Sequence, residues 1–173
     1  MKAANPDIPD QPAPRRHRRA ETVSASDFLP DPPAELAYAE VILRFEKMIP
    51  GNSQLGLVPA YHFRIQAEGK DVGHINLRVG DNDHIRLCVG HIGYEIAPAF
   101  RGNRYALQAC RALAPFAHSL VPAAIITCNP ENIASQRTIE LLGAKFLDQV
   151  AIPPEDPHYA HGTREKKRYL WSA

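Results

Sequence analysis

The stretch GHIGYEIAPAFRGNRYALQACRAL, residues 90–113, constrains this chain more than any other. Its first part, HIGYEI, has strand-like alternation and stops at Ala97-Pro98. A basic turn, RGNRYA, then opens directly into a segment with helical spacing. A helix N-terminus carries N–H groups without intrahelical acceptors, together with the positive end of the helix dipole. Arginines and a glycine on such a turn make an anion site, and phosphate is the ligand that fits it. The pattern predicts a strand that leads through the turn into a helix start suited to an anion.

The rest of the pattern supplies an α/β frame for that turn. Leu36, Ala37, Val41, Leu43, Arg44 and Met48 recur at roughly helical spacing and predict a helix ending before Pro50-Gly51. Tyr61, Phe63, Ile65 and Ala67 alternate with His62, Arg64 and Gln66. After the EGKD turn (residues 68–71) a second alternating run passes through Ile75, Leu77 and Val79, so the two read as a hairpin. A third run, after the GDND turn, holds Ile85, Leu87 and Val89 in one phase and Ile92, Tyr94 and Ile96 in the other. That change at Gly90 predicts a bulge or a strand break.

Past the basic turn, Ala106, Cys110, Leu113, Ala114 and Ala117 mark one helix face, in which Pro115 predicts a kink or an end. AAIITC, residues 123–128, reads as a buried strand. Asn132 is the N-cap of a further helix, with Leu141 and Leu142 on its apolar side and Gly143 at C′. Strands near residues 145–152 and 167–171 close the fold, and the proline-rich loop between them carries His158 and His161. The order is helix, hairpin, strand, helix, strand, helix, two strands: an α/β domain with a mixed sheet.

Composition narrows the function classes. At 173 residues the chain is long enough for one domain with a real core. With 20 Lys+Arg against 19 Asp+Glu it lacks the basic excess of a large nucleic-acid face, so a nucleic-acid partner is not expected. Cys88, Cys110 and Cys128 are odd in number and set in apolar contexts, which reads as buried free thiols. MKAANPDIPD has no apolar signal region, and no apolar run approaches the roughly 18 residues of a membrane span, so a soluble, cytoplasmic protein is expected, with no membrane partner. Residues 1–33 are dense in proline and poor in large apolar groups. They read as a flexible segment, with PRRHRR (residues 14–19) as a solvated tail and part of residues 20–29 as a candidate edge strand, ahead of a domain spanning 34–173.

Four features together resemble the GNAT superfamily of acyl-CoA-dependent N-acyltransferases. Arg101-Gly102-Asn103-Arg104-Tyr105-Ala106 stands for the family's Q/R-x-x-G-x-G/A loop; a buried strand ends in Thr127-Cys128-Asn129; Asn132 opens a helix ending LLGAKF; and the order of elements agrees. More narrowly, GHIGY, ITCNPENIAS and REKKRYLW resemble a group of bacterial predicted acetyltransferases. The resemblance implies a mixed, mostly antiparallel sheet flanked by helices, whose two central parallel strands splay apart. The pantetheine of acetyl-CoA lies in that V, between His91–Ile96 and residues 124–128. Backbone groups of the first strand, Ile96 included, pair with pantetheine amides; Arg101, Gly102, Asn103, Arg104, Tyr105 and Ala106 cradle the pyrophosphate; Asn132 reaches pantetheine or caps its helix. The motif has glycine where Arg104 stands; an arginine there supplies the N–H if its φ is ordinary, and its guanidinium can fold onto a phosphate.

The implied reaction moves an acetyl or other short acyl group to a primary amine, on a small molecule or a protein, by direct attack. It needs a proton acceptor, donors for the oxyanion and a route for a proton to the departing thiolate. His91 and Glu95 share one face of the strand, and His91 takes the place where related N-terminal acyltransferases often carry a glutamate; His91 is the first candidate base and Glu95 the second. The tyrosine that many family members place seven residues after the capping asparagine is Ile139 here, leaving Ser135 as the nearby hydroxyl. Cys128 is not needed as a nucleophile, and His158 and His161 lack partners at metal-ligand spacing, so no metal is expected. Dimers are common among proteins of this kind. Arg104 and Ile139 also motivate an alternative, a CoA-binding protein of the same fold with little or no catalysis.

Overall fold

The computed structural model describes residues 29–172. The expectations for residues 1–28, namely the proline-rich segment, the PRRHRR cluster and most of the candidate edge strand, lie outside the described residues. Eight strands form one sheet: β1 (Leu36–Tyr38), β2 (Val41–Ile49), β3 (Ala60–Ala67), β4 (Lys70–Arg78), β5 (Ile92–Ile96), β6 (Ala123–Cys128), β7 (Lys145–Ala151) and β8 (Glu165–Ser172). Their spatial order is β1-β2-β3-β4-β5-β6-β8-β7. Neighbours are antiparallel except β5 and β6, which run parallel. Helices α1 (Tyr105–Leu120) and α2 (Ile133–Leu141) share a single core with one face of the sheet, and α3 (Pro157–Ala160) is one turn in the β7–β8 connection.

The alternation read in β3 is what divides the two faces. Tyr61, Phe63, Ile65 and Ala67 are buried against α1, while His62, Arg64 and Gln66 keep partial access to solvent. Val72, Ile75 and Leu77 of β4 continue the apolar side, and the Tyr61 ring meets Phe116 of α1 edge-on, 4.9 Å between centroids. Leu29 packs on this core, and the Tyr61 hydroxyl donates to the Pro30 carbonyl at 2.5 Å.

Two predicted elements take other forms. Residues 36–49 are a hairpin, not a helix. The decisive pattern is of period two, Val41 and Leu43 buried with Ile42 and Arg44 exposed, and Leu36 faces Leu43 across the strands. The apparent helical spacing of Leu36, Val41 and Leu43 comes from folding two short strands back at Ala39, whose φ is 51°. The run His84–Val89 is a π-helical turn instead of a strand, capped by the Asn82 side chain on the Ile85 N–H (2.9 Å) and closed by the Gly90 N–H on the Ile85 carbonyl (2.9 Å). The break at Gly90 is present: its φ is 65°, and β5 begins two residues later.

Helix α1 runs through Pro115 to Leu120, held on the core by Leu113, Phe116 and Ala117 around the exposed proline. In α2, Gln136 and Ile139 are buried and Leu142 packs on the core, but Leu141 faces solvent. Gly143 ends that helix at φ 84°, its N–H on the Glu140 carbonyl (2.9 Å) and the Ala144 N–H on the Ile139 carbonyl (3.3 Å), a Schellman closure. The three cysteines are buried and unpaired. No helix among the described residues is long and apolar enough to cross a membrane.

Candidate active site

The central feature is a parting of strands. Between β5 and β6 the only register pair is Ile92 with Ile126, and the His91 N–H donates to the Ile125 carbonyl at 2.7 Å just before it. Beyond that point the strands diverge. The opposite edge of β5 is fully paired with β4, from Gly73–Ile96 to Leu77–Ile92. From Gly93 onward, the edge of β5 that faces β6 therefore presents backbone groups with no partner from β6. Buried backbone groups require partners, so this edge suits an extended ligand that carries amides.

At the open end of the V the chain passes through a 3-10 turn (Pro98–Phe100) into the basic loop. Arg101 turns back, its Nε donating to the Ile96 carbonyl at 3.0 Å, and the Asn103 side-chain amide donates to the Phe100 carbonyl at 3.2 Å. Gly102 has φ 89°, and Arg104, the N-cap of α1, has φ 60° and ψ 18°. Arg104 thus does not take the ordinary φ expected of an arginine; it adopts the left-handed conformation that glycine would occupy without strain. Among the described residues, no N–H from 102 to 107 has an acceptor, and the first helical bond is from the Gln108 N–H to the Arg104 carbonyl at 3.0 Å. Arg101 to Arg104 are exposed, whereas Tyr105 is buried against the core.

The structure separates the residues expected to do the chemistry. His91 is only 5% exposed. Its Nδ1 accepts the Ile125 N–H at 2.8 Å, and its Nε2–H donates to the Gly80 carbonyl at 3.1 Å. Burial holds its pKa below the ordinary histidine value, against the opposing effect of the bond to the Gly80 carbonyl. The ring has no lone pair left for a substrate proton, which corrects the expectation of His91 as the first base: it stitches β6 to the chain entering β5. Glu95 is exposed on the face away from the helices and lines an open cavity of about 340 Å³ with Arg64, Asp71, Gly73, His74 and Ala97.

His74 was missed in the sequence. Its strand run places it on the polar face, but only the register sets it directly opposite Glu95. Burial, then the neighbouring His62, lowers its pKa, and the two imidazoles stack 5.2 Å apart. His62 contacts Glu46 at 3.0 Å, and Arg64 donates to Asp71 at 2.6 Å. Ser135 lies on the other side of the sheet. Asn132 caps α2 by accepting the Ser135 N–H at 3.0 Å, and the Ser135 hydroxyl is 2.9 Å from that of Tyr94, whose pKa burial raises. Ile139 is fully buried in the core.

The family model described as the acetyltransferase (GNAT) domain matches residues 10–145, and the chain belongs to this family. Its fold is also that of solved acetyltransferases. The microcin C7 self-immunity acetyltransferase MccE, in complex with acetyl-CoA and AMP, superposes with a TM-score of 0.53 at 16% identity, over 66% of this chain and 61% of that one. RimJ of Mycobacterium smegmatis, in complex with CoA-disulfide, gives 0.52 at 21% identity, over 66% and 53%. RimL, the ribosomal L7/L12 alpha-N-protein acetyltransferase, in complex with coenzyme A, gives 0.51 at 15% identity, over 64% and 60%. The chain thus spans about three fifths or less of the length of these proteins. No curated protein matches it in sequence.

Proposed function

We propose that this member of the GNAT family moves an acetyl or other short acyl group from acyl-CoA to a primary amine, on a small molecule or a protein, by direct attack in a ternary complex. The observation that carries the reading is the parting of β5 from β6 after a single register pair, followed by a helix start whose N–H groups at residues 102–107 have no acceptor among the described residues. The edge of β5 that parts from β6 holds the pantetheine; Ile96 is its last residue, and its carbonyl accepts from Arg101 Nε. The loop from Arg101 to Ala106 holds the pyrophosphate, its N–H groups and the positive end of α1 facing the charge. Asn132, at the start of α2, stands across the V.

The thioester supplies an activated carbonyl and a good leaving group. The amine reaches it from the polar face, where Glu95 takes the ammonium proton and the neutral His74 beside it offers a second acceptor. The nitrogen forms its bond to the carbonyl carbon, the carbon–sulfur bond breaks, and the thiolate departs toward the helix side. The paired hydroxyls of Ser135 and Tyr94 stand there to donate a hydrogen bond. With both nitrogens of His91 committed to backbone, Glu95 becomes the first candidate base.

Calorimetric titration with acetyl-CoA tests binding, and an amine panel tests turnover. The expected result is saturable binding that weakens in Arg101→Ala/Arg104→Ala, with turnover that drops in Glu95→Gln while acetyl-CoA affinity is kept. Tight binding with no turnover on any amine would leave the alternative, a CoA-binding protein of this fold. No binding at all would overturn both readings.

A further inference from the structure

Four potential metal ligands that the sequence scatters over 75 positions meet on the far side of the π-helical turn. His84 and Cys88 stand four residues apart on that turn, and Asp156 and His158 stand two apart in the β7–β8 connection. A nitrogen of His84, the sulfur of Cys88 and a carboxylate oxygen of Asp156 all lie within 4.8 Å of one another. Asp156 is the hub: its Oδ2 is 2.6 Å from His84 Nδ1, and its Oδ1 is 3.0 Å from His158 Nδ1 and accepts the His158 N–H at 2.9 Å. The two imidazoles stand 5.6 Å apart. Cys88 is 1% exposed and Asp156 9%, so two of the four donors are well inside the protein.

The geometry points to a divalent-metal site of the zinc class, held by His84, Cys88, Asp156 and His158. Two imidazoles hydrogen-bonded to one carboxylate, with a thiol within 4.8 Å, are what such a site looks like in its metal-free form. Two imidazoles, a thiolate and a carboxylate form a complete four-coordinate donor set of the borderline character that zinc and cobalt(II) prefer. Bonds of about 2.0–2.3 Å place tetrahedral ligands roughly 3.3–3.8 Å apart, so binding opens the His84–Asp156 contact by about an ångström. Metal entry forms the metal–sulfur bond and releases the Cys88 thiol proton to solvent.

Lys166 opposes a cation here, since its ammonium is near Cys88 and Asp156; its Nζ donates to Asn129 at 2.6 Å. The two anionic ligands, thiolate and carboxylate, outweigh that one charge. The site would clip the β7–β8 connection to the segment that leads into β5. The turn is already fastened on its other sides: Thr127 of β6 donates to the Cys88 carbonyl at 2.8 Å, and Arg78 of β4 donates to the carbonyls of Val89 and Gly90 at 3.2 and 3.3 Å.

The test uses the full chain, stripped with a chelator and titrated with Co²⁺, then with Zn²⁺. The expected result is one equivalent of cobalt giving tetrahedral ligand-field bands and a thiolate-to-cobalt charge-transfer band, displaced by zinc, with a rise in thermal midpoint. Cys88→Ser should abolish the charge-transfer band. His158→Ala, at a half-exposed ligand whose loss spares the core, should weaken zinc binding by roughly tenfold or more. Absence of saturable binding would overturn the site. So would a cobalt spectrum without the charge-transfer band, or one unchanged in both variants.

Discussion

Arg104 offers the sharpest test of how the basic loop before α1 is built. At φ 60° and ψ 18° it sits where a side chain crowds its own backbone, a cost of about 1–2 kcal/mol for a residue other than glycine. Its side chain is exposed and makes no hydrogen bond among the described residues, so nothing there repays that strain. Glycine removes the strain but gives up about 0.5–1 kcal/mol through its freer unfolded chain. Arg104→Gly should therefore stabilise the protein by about 0.5–1 kcal/mol, a rise of about 1–4 °C in thermal midpoint for a chain of this size. Arg104→Ala keeps the strained φ and should stay within about 0.5 kcal/mol of the parent. Urea unfolding of the three proteins measures the differences directly. If Arg104→Gly lost stability, or Ala gained as much as Gly, strain at this position would not be the operative effect. Acetyl-CoA titration then separates side chain from backbone: equal weakening in both variants marks the guanidinium as a phosphate contact.

His91→Ala should destabilise the fold by roughly 2–4 kcal/mol, because it orphans the partly buried Ile125 N–H and Gly80 carbonyl, each worth about 1–3 kcal/mol when left unpaired. The same ring gives a pH signature. Its folded pKa lies below the ordinary 6.5, so below that value the unfolded chain binds more protons and stability falls as pH is lowered. Urea midpoints across that range should slope less steeply in His91→Ala; an equal slope would remove His91 as the source. Gly73→Ala should cost roughly 2–4 kcal/mol, since its φ is 157° and a Cβ would lie 2.1 Å from the Glu95 carbonyl oxygen, inside the β4–β5 ladder. Gly69→Ala, at φ 72° with nothing within 4 Å, should cost only about 1 kcal/mol, and a comparable loss in both would refute the contact argument.

What the sequence made legible is what short-range rules control. The β3–β4 hairpin, the strand–turn–helix at the basic loop, the Asn132 cap and the Gly143 closure each depend on residues a few positions apart. The hairpin of β1 and β2 was hidden because its signal is a cross-strand pair, Leu36 with Leu43, and sparse apolar positions fit a helix equally well. The π-helical turn was hidden because Ile85, Leu87 and Val89 alternate as a strand would, while Asn82 and Gly90 supply the local bonds that coil them. For the site the division is sharper. The exposure of Glu95 and the capping of α2 by Asn132 follow from strand phase and cap position. The partners of His91 lie 11 and 34 residues away, and no spacing rule connects them.

That nonlocality explains why His91 read as a base. A histidine at the entry to β5, one step from glycine and on the same face as Glu95, has the right chemistry and the right phase. Yet two parallel strands joined by one register pair need something to fix where they part, and His91 provides it. Its main chain donates to the Ile125 carbonyl while its ring accepts the Ile125 N–H, closing both backbone groups of that residue at the crotch of the V. The third bond, to Gly80, anchors the ring to the chain leaving β4. A base must release its proton and take up another in each cycle, whereas a ring that satisfies β6 cannot do so without opening the site it defines. On the proposed reading His91 acts as a positioning residue, so its substitution should disturb acyl-CoA affinity along with turnover, while substitution of Glu95 should touch turnover alone.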